Sequence, residues 1–215
     1  SFANGNCTLT TGSSQEPMNT GTFGLSAGKW YCESKLTQLP TSSNSFIGIT
    51  AQVATSSTDF PGNGEFSWSI LGQTGNLYND GSSSAYGGAI GLNDVVGWYL
   101  DLDNNKWYYA IDGVIQASGV GASITAAAST PVGTAGGTPT GVYFPAWGDY
   151  NNSSSAIWQV NFGNGYFGTT EITSPETDEG GIGAFKYNPS TGTFDSSSKD
   201  FRAICTKNIK LYGRA

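Results

Sequence analysis

The chain has 215 residues, of which 9 are basic and 16 acidic, giving a formal net charge of −7. Its Lys and Arg residues are scattered singly, whereas nucleic-acid binders cluster them to displace counterions from phosphate. No apolar run reaches the roughly eighteen residues that a membrane-spanning helix needs. We therefore expect a protein that binds no nucleic acid and inserts into no membrane.

Aromatic residues make up 13% of the chain and charged residues 12%, while Gly occurs 31 times. Such a chain is too aromatic to be disordered and too poor in Lys, Glu and Leu to be mainly helical. Single β domains commonly reach this length. The composition therefore predicts one large all-β domain.

Short segments of alternating apolar and polar residues are separated by clusters of Gly, Ser and Asn, a pattern typical of many-stranded β proteins. No segment shows an apolar helical stripe over about three turns. The low-complexity stretch Ala122–Thr140 predicts a long loop or a ragged edge. The predicted strands are Cys7–Thr10, Gly21–Leu25, Lys29–Leu36, Phe46–Val53, Glu65–Leu71, Val95–Leu102, Lys106–Ile111, Val142–Trp147, Ala156–Phe162, Ala184–Tyr187 and Ala203–Thr206.

The most informative pair of strands is a hairpin in the middle of the chain. Trp98 and Leu100 fall on one face of the first strand, and Trp107 and Tyr109 fall on one face of the second. The polar residues of Asp103–Lys106 tolerate turn dihedrals and join the two strands. A hairpin this aromatic is predicted to lie in the core of a β-sandwich.

Three tyrosines, Tyr31, Tyr99 and Tyr108, lie opposite the core-facing residues of their strands. We predict that they pack either against a second layer or against a neighbouring subunit. The last part of the chain is expected to fold back on the sandwich as an extension. Its predicted anchors are Phe185, Tyr187, Phe201 and Ile204.

Several motifs resemble those of a known family, the SPRY domains, which belong to the concanavalin-like sandwiches. The hairpin Asp94–Gly113 resembles the central hairpin of that family. Further resemblances lie in Gly28–Glu33 ("GKWYWE" in the family), in Phe46–Ile49 ("IGVA"), and in the closing pair Phe144–Ala146 and Val160–Gly163. The resemblance implies an all-β, SPRY/concanavalin-like antiparallel β-sandwich of the jelly-roll type with a C-terminal extension packed on it.

The tail resembles a subgroup of that family encoded by tailed bacteriophages. Ala184–Pro189 and Phe201–Ile209 are similar to the ending of those proteins, and Asn76–Gly87 is similar to one of their internal segments. The chain departs from the pattern at Thr169–Ile182 and Thr191–Lys199, which look like surface insertions. We assign residues 1–165 to the sandwich and 166–215 to the extension, as parts of one globule.

Catalytic chemistry finds little support in the sequence. The chain has no His, which removes Ser-His-Asp and Cys-His systems and most zinc sites. The segment Asp101–Asp103 does not match the carboxylate spacing of glycoside hydrolases on related folds. Lys106 and Asp112 stand where a calcium loop needs Gly and Glu. We expect no enzymatic activity, no metal and no cofactor.

The sequence has 3 cysteines, so at least one of them forms no bridge within the chain. Pairing of Cys7 with either Cys32 or Cys205 stays open, and reduced thiols would suit folding in a bacterial cytoplasm.

Two polar loops contain aromatic residues that suit ligand binding. A flat aromatic ring can stack on the apolar face of a sugar while neighbouring Asn and Asp side chains form hydrogen bonds with the sugar hydroxyls. The alternative is that Trp147 belongs to the core and Tyr150 only covers a strand end. The candidate ligand-binding residues are Trp147, Asp149, Tyr150, Asn151, Tyr86 and Asp80.

These observations predict a bacteriophage virion protein, made in the host bacterial cytoplasm and exposed on the particle surface. In the first hypothesis it is an adhesive or receptor-binding module for host surface glycan, on a fibre or on the head. In the second it is a decoration or cement protein that binds other capsid or tail proteins. Contacts between copies of the chain fit both hypotheses. An adhesin predicts that Ala at Trp147 or Tyr150 abolishes binding at little cost in stability.

Overall fold

The computed structural model describes residues 2–3, 7–12, 17–40, 44–52, 59–125, 139–150, 154–195 and 199–212. No helix among these residues is long and apolar enough to cross a bilayer. The elements are β1 (Phe2–Ala3), β2 (Thr8–Thr10), β3 (Met18–Thr20), β4 (Lys29–Gln38), β5 (Ser45–Gln52), β6 (Ser67–Leu71), β7 (Asn76–Asn79), β8 (Ser82–Ser84), β9 (Val95–Asp101), β10 (Lys106–Ile111), β11 (Val114–Ile115), β12 (Ala122–Ser123), β13 (Pro139–Asp149), β14 (Ile157–Asn161), β15 (Tyr166–Phe167), β16 (Thr170–Glu171), β17 (Arg202–Ala203) and the helix α1 (Thr206–Tyr212).

The strands form two main sheets. A nine-stranded sheet has the order β1-β2-β14-β4-β9-β10-β11, with β12 added to β10 and β17 added to β4. A six-stranded sheet has the order β3-β13-β5-β6-β7-β8, and β15 and β16 form a separate ribbon. Apart from the parallel pairing of β17 with β4, the paired strands are antiparallel. The predicted all-β sandwich is confirmed.

The inner faces of the two sheets meet in an aromatic core. Trp30, Trp98 and Trp107 of the nine-stranded sheet are fully buried there, as the period-two pattern predicted. The indole Nε1 of Trp98 donates a hydrogen bond of 2.7 Å to the carbonyl oxygen of Gly48 on the opposite sheet. A side chain at Gly48 would meet the Trp68 carbonyl oxygen at 2.0 Å, so only glycine fits.

The observed elements differ from the predicted strands in several places. The strand predicted at Gly21–Leu25 is replaced by β3, and Leu25 keeps only an isolated bridge to Tyr143. Residues 76–84, for which no strand was predicted, form the hairpin β7–β8. Helix α1 occupies part of the strand predicted at Ala203–Thr206, and at two turns it is too short for a three-turn stripe to detect.

The outer face of the nine-stranded sheet is covered by the chain's own C-terminal segment. The Tyr31 ring lies 4.6 Å from that of Tyr99 and 4.7 Å from that of Phe185. Phe201 and Phe194 contact the Tyr99 ring at 5.1 and 5.2 Å. The second layer that these tyrosines predicted is therefore intramolecular, and the surface insertion at Thr191–Lys199 supplies one of its rings.

A buried carboxylate fastens this layer to the sheet. Glu33 is fully buried and accepts hydrogen bonds of 2.8 Å from the backbone N–H groups of Lys186 and Tyr187. It also accepts bonds of 3.0 Å from the Tyr31 hydroxyl and 3.2 Å from the Asn161 side-chain amide. Burial raises the pKa of the Glu33 carboxyl, and the four donors act in the opposite direction.

A second carboxylate organises the loop before β17. Asp178 accepts hydrogen bonds from the backbone N–H groups of Ile182, Gly183 and Ala203 and from the Asn208 amide, at 2.7 to 3.1 Å. Burial alone would raise the pKa of Asp178, but these donors outweigh it and hold the pKa below the ordinary value of 3.8.

Because its folded-state pKa is depressed, Asp178 contributes stability that is present above pH 3.8 and is lost as the pH falls through the folded-state value. We expect Asp178→Asn to lose about 1.5–3 kcal/mol of unfolding free energy at neutral pH and to show a flatter decline in acid. Denaturant unfolding between about pH 6 and pH 2 measures both effects. The control is Glu179→Gln, an exposed neighbour. Parallel pH curves for Asp178→Asn and the wild type would contradict the assignment.

Candidate ligand-binding site

Four aromatic rings converge on the outer face of the six-stranded sheet. Phe46 comes from β5, Tyr78 from β7, Phe60 from the loop before β6, and Tyr150 follows the end of β13. Phe60 stacks on Phe46 at 5.0 Å and meets the Tyr150 ring edge-on at 5.1 Å, while Tyr78 is edge-on to Phe46 at 5.4 Å. They line a cavity of about 390 Å³, hereafter the aromatic pocket. Its volume lies within the range of small-molecule sites.

Tyr150 is the exposed wall of the aromatic pocket. The residue is 48% exposed, yet its backbone is fixed by two hydrogen bonds to Asn44. The Tyr150 N–H donates to the Asn44 carbonyl oxygen at 3.0 Å, and the Asn44 side-chain amide donates to the Tyr150 carbonyl oxygen at 3.1 Å. The ring is therefore held at the rim while one part of its surface stays accessible.

Polar groups from the β7–β8 turn and the neighbouring loop complete the rim. Asp80 and Gly81 have positive φ of 52° and 65°, as the two central residues of a tight hairpin turn require. The Asp80 N–H donates to the Gly64 carbonyl oxygen at 3.3 Å, which docks the turn on the loop that holds Phe60. Asn63 and Gly81 line the pocket, and the Asp80 and Asn63 side chains are exposed.

Two of the predicted site residues, Tyr150 and Asp80, thus come to the same part of the surface. Trp147 does not, because β13 continues to Asp149 and the indole points into the core with 2% exposure. Its Nε1 donates to the Ser34 hydroxyl at 3.0 Å. Trp147 is therefore a core residue, which was one of the two alternatives that the sequence left open.

Two other predicted residues, Asp149 and Tyr86, are not among the residues that line the aromatic pocket. Asp149 is fully buried and accepts a 3.0 Å hydrogen bond from the Thr11 hydroxyl. Tyr86 stacks on Tyr109 at 5.9 Å, and its hydroxyl donates to the Val120 carbonyl oxygen at 2.6 Å. Burial raises the pKa of Tyr86 to about 12. Asn151 lies outside the described residues.

Phe46, Phe60, Asn44 and Asn63 were missed from the sequence. A signal existed for Phe46, because Ile47 and Ile49 face the core and strand alternation turns Phe46 to the outside. Phe60 reaches the pocket from a loop, where no periodicity indicates direction.

A larger cavity of about 520 Å³ opens beside β3, with Leu9, Met18, Trp147 and Phe162 among its walls. It is mainly apolar, and the Asn19 side-chain nitrogen is buried nearby without a hydrogen-bond partner. We favour the aromatic pocket as the candidate site because it combines an exposed ring, flanking rings and a polar rim.

The described part of the chain contains no group of three or more Cys, Asp and Glu residues that could hold a metal ion. Cys32 and Cys205 have free thiols, so neither alternative disulfide to Cys7 forms.

No family model matches this chain, and no curated protein sequence does. Solved structures do match. The SPRY domain of human HERC1 has a TM-score of 0.55 and 15% sequence identity, over 71% of this chain and 86% of that one. The fold is that of a SPRY domain. A second human SPRY domain has a TM-score of 0.52 and 19% identity, over 72% of this chain and 90% of that one.

The comparison bears on the fold alone, because both identities are low. It agrees with the resemblance that the hairpin and closing-strand motifs indicated. The boundary between residues 165 and 166 stays a prediction, as do the assignments of Tyr150, Asp80 and the other site residues to ligand binding.

Proposed function

We propose that this chain is a non-enzymatic recognition module that binds a host surface glycan through the aromatic pocket. The observation that carries the proposal is the half-exposed Tyr150 ring, fixed by its backbone beside Phe60 and next to Asn63 and Asp80. Pyranose rings present an apolar face to an aromatic ring and hydroxyls to amides and carboxylates. The pocket offers both kinds of contact.

We further propose that the module acts on the surface of a tailed-phage virion, on a fibre or on the head. The support for this setting is the resemblance of Ala184–Pro189 and Phe201–Ile209 to the ending of phage-encoded SPRY-like proteins. The lack of His in the whole sequence supports a binding role rather than an enzymatic one.

The cement hypothesis loses one of its supports. It predicts that changes to Tyr99 or Tyr108 disrupt assembly with other virion proteins, but both residues are 1% exposed beneath the C-terminal segment. We therefore place the glycan-binding hypothesis first.

The test is a glycan array probed with the wild type, Tyr150→Ala and Tyr166→Ala. We expect saturable binding by the wild type, about tenfold weaker binding by Tyr150→Ala, and unchanged binding by Tyr166→Ala. Tyr166 is a matched control because it is 39% exposed and lies on β15, outside the pocket. A silent array, or equal binding by Tyr150→Ala and the wild type, would refute the proposal.

A further inference from the structure

No Lys or Arg is among the described residues that line the aromatic pocket. The sequence has no Lys or Arg between Lys35 and Lys106, and none between Lys106 and Lys186. The residues that line the pocket all fall within these two intervals. The described strands of the six-stranded sheet contain no basic residue, whereas β4, β10 and β17 of the nine-stranded sheet all do.

A carboxylate, by contrast, flanks the pocket. Asp80 precedes Gly81, a lining residue, and lies exposed in the β7–β8 turn. The salt bridges of Lys29 and Lys106, both on the nine-stranded sheet, are made with Asp101, Asp195 and Asp200, and Asp80 takes part in none of them.

We infer that the aromatic pocket takes a saccharide ring without negative charge, a neutral or amino pyranose, and rejects rings that bear a carboxylate or a phosphate. This inference rests on the proposed glycan-binding function and specifies its ligand class. An acidic sugar would have to leave water for a site where the nearby Asp80 carboxylate repels it and no basic side chain among the lining residues compensates. An ammonium group would gain attraction from the same carboxylate and from the faces of the rings.

Matched ligand pairs test the inference directly. Wild-type protein would be titrated with glucose- and glucuronate-terminated glycans, with the galactose and galacturonate equivalents, and with a glucosamine-terminated glycan. We expect each acidic member to bind about tenfold more weakly than its neutral partner, and glucosamine to bind at least as well as glucose. Raising the ionic strength should narrow these differences because salt screens exposed charges.

The results of these titrations distinguish a failure of this inference from a failure of the proposed glycan-binding function. Acidic members that bind as tightly as neutral ones overturn the inference while leaving glycan binding in place. If none of the ligands binds, the proposed glycan-binding function itself is wrong.

Removal of a charge supplies a second readout. In Asp80→Asn, which keeps the turn because Asn tolerates a positive φ, we expect the ratio of acidic to neutral affinity to rise about threefold. The control is Glu171→Gln, removal of an exposed charge on β16, for which the ratio should not change. An unchanged ratio in Asp80→Asn, or an equal rise in both variants, would show that charge near the pocket does not select the ligand.

Discussion

Replacement of Glu33 with alanine is expected to lower the free energy of unfolding by about 3–5 kcal/mol, because four donors lose a buried acceptor at once. Two of these donors are the backbone N–H groups of Lys186 and Tyr187 in the C-terminal layer. The loss should therefore loosen the C-terminal layer first, and denaturant unfolding together with limited proteolysis would measure both effects.

The controls for Glu33 isolate the buried carboxylate from a general effect of charge removal. Glu179→Ala removes an exposed carboxylate from the same C-terminal segment and should change stability by less than about 0.5 kcal/mol. Glu33→Gln keeps one acceptor oxygen but turns an NH₂ group toward the donors, so its loss should be intermediate. A change below about 1 kcal/mol in Glu33→Ala would show that the layer is held by its aromatic contacts alone.

Trp147→Ala is expected to destabilise the protein by about 3–5 kcal/mol through the cavity that it leaves in the core. The indole is 2% exposed, contacts the Phe162 ring edge-on at 6.2 Å and donates to the Ser34 hydroxyl. This expectation replaces the sequence-based one, in which Trp147 was a ligand-binding residue of little consequence for stability.

Tyr150→Ala provides the matched comparison, three residues further along the chain. Its ring is half-exposed and has one edge-on contact, with Phe60, so we expect a loss of only about 1 kcal/mol. Thermal and denaturant unfolding of the two variants side by side would measure the contrast. Equal losses would mean that Tyr150 is a structural residue, and a small loss in Trp147→Ala would mean that the core collapses around the missing indole.

The alternation of apolar and polar residues along the chain was sufficient to predict the β-sandwich. The alternation at Trp98, Leu100, Trp107 and Tyr109 places each of these side chains in the core, and the register pairs Trp107 with Leu100 and Tyr109 with Trp98. Because successive side chains of any β-strand point to opposite faces, this prediction does not depend on contacts elsewhere in the chain. Strand ends are less determined: the predicted strand ended at Trp147, whereas β13 continues to Asp149 and the Trp147 indole is buried.

Contacts between residues that are far apart in the chain could not be predicted from the sequence. Glu33 finds its backbone donors more than 150 positions away, and nothing near it in the chain indicates burial of a carboxylate. The same holds for Phe60 beside Tyr150, whose rings meet only because two loops end on one sheet face. Tyr150 and Asp80 were predictable as candidates because polar aromatic loops between strands are recognisable locally.

The parallel strand β17 has a consequence for synthesis of the protein. It pairs Arg202 with Trp30 and Ala203 with Tyr31, so β4 waits during synthesis for residues that are made much later. Until then, Tyr31, Tyr99 and Tyr108 form an uncovered aromatic surface on the growing chain, the kind of surface through which incomplete chains aggregate. Slow translation of the segment that leads to β17, or a nonsense mutation there, would therefore lower the yield of soluble protein.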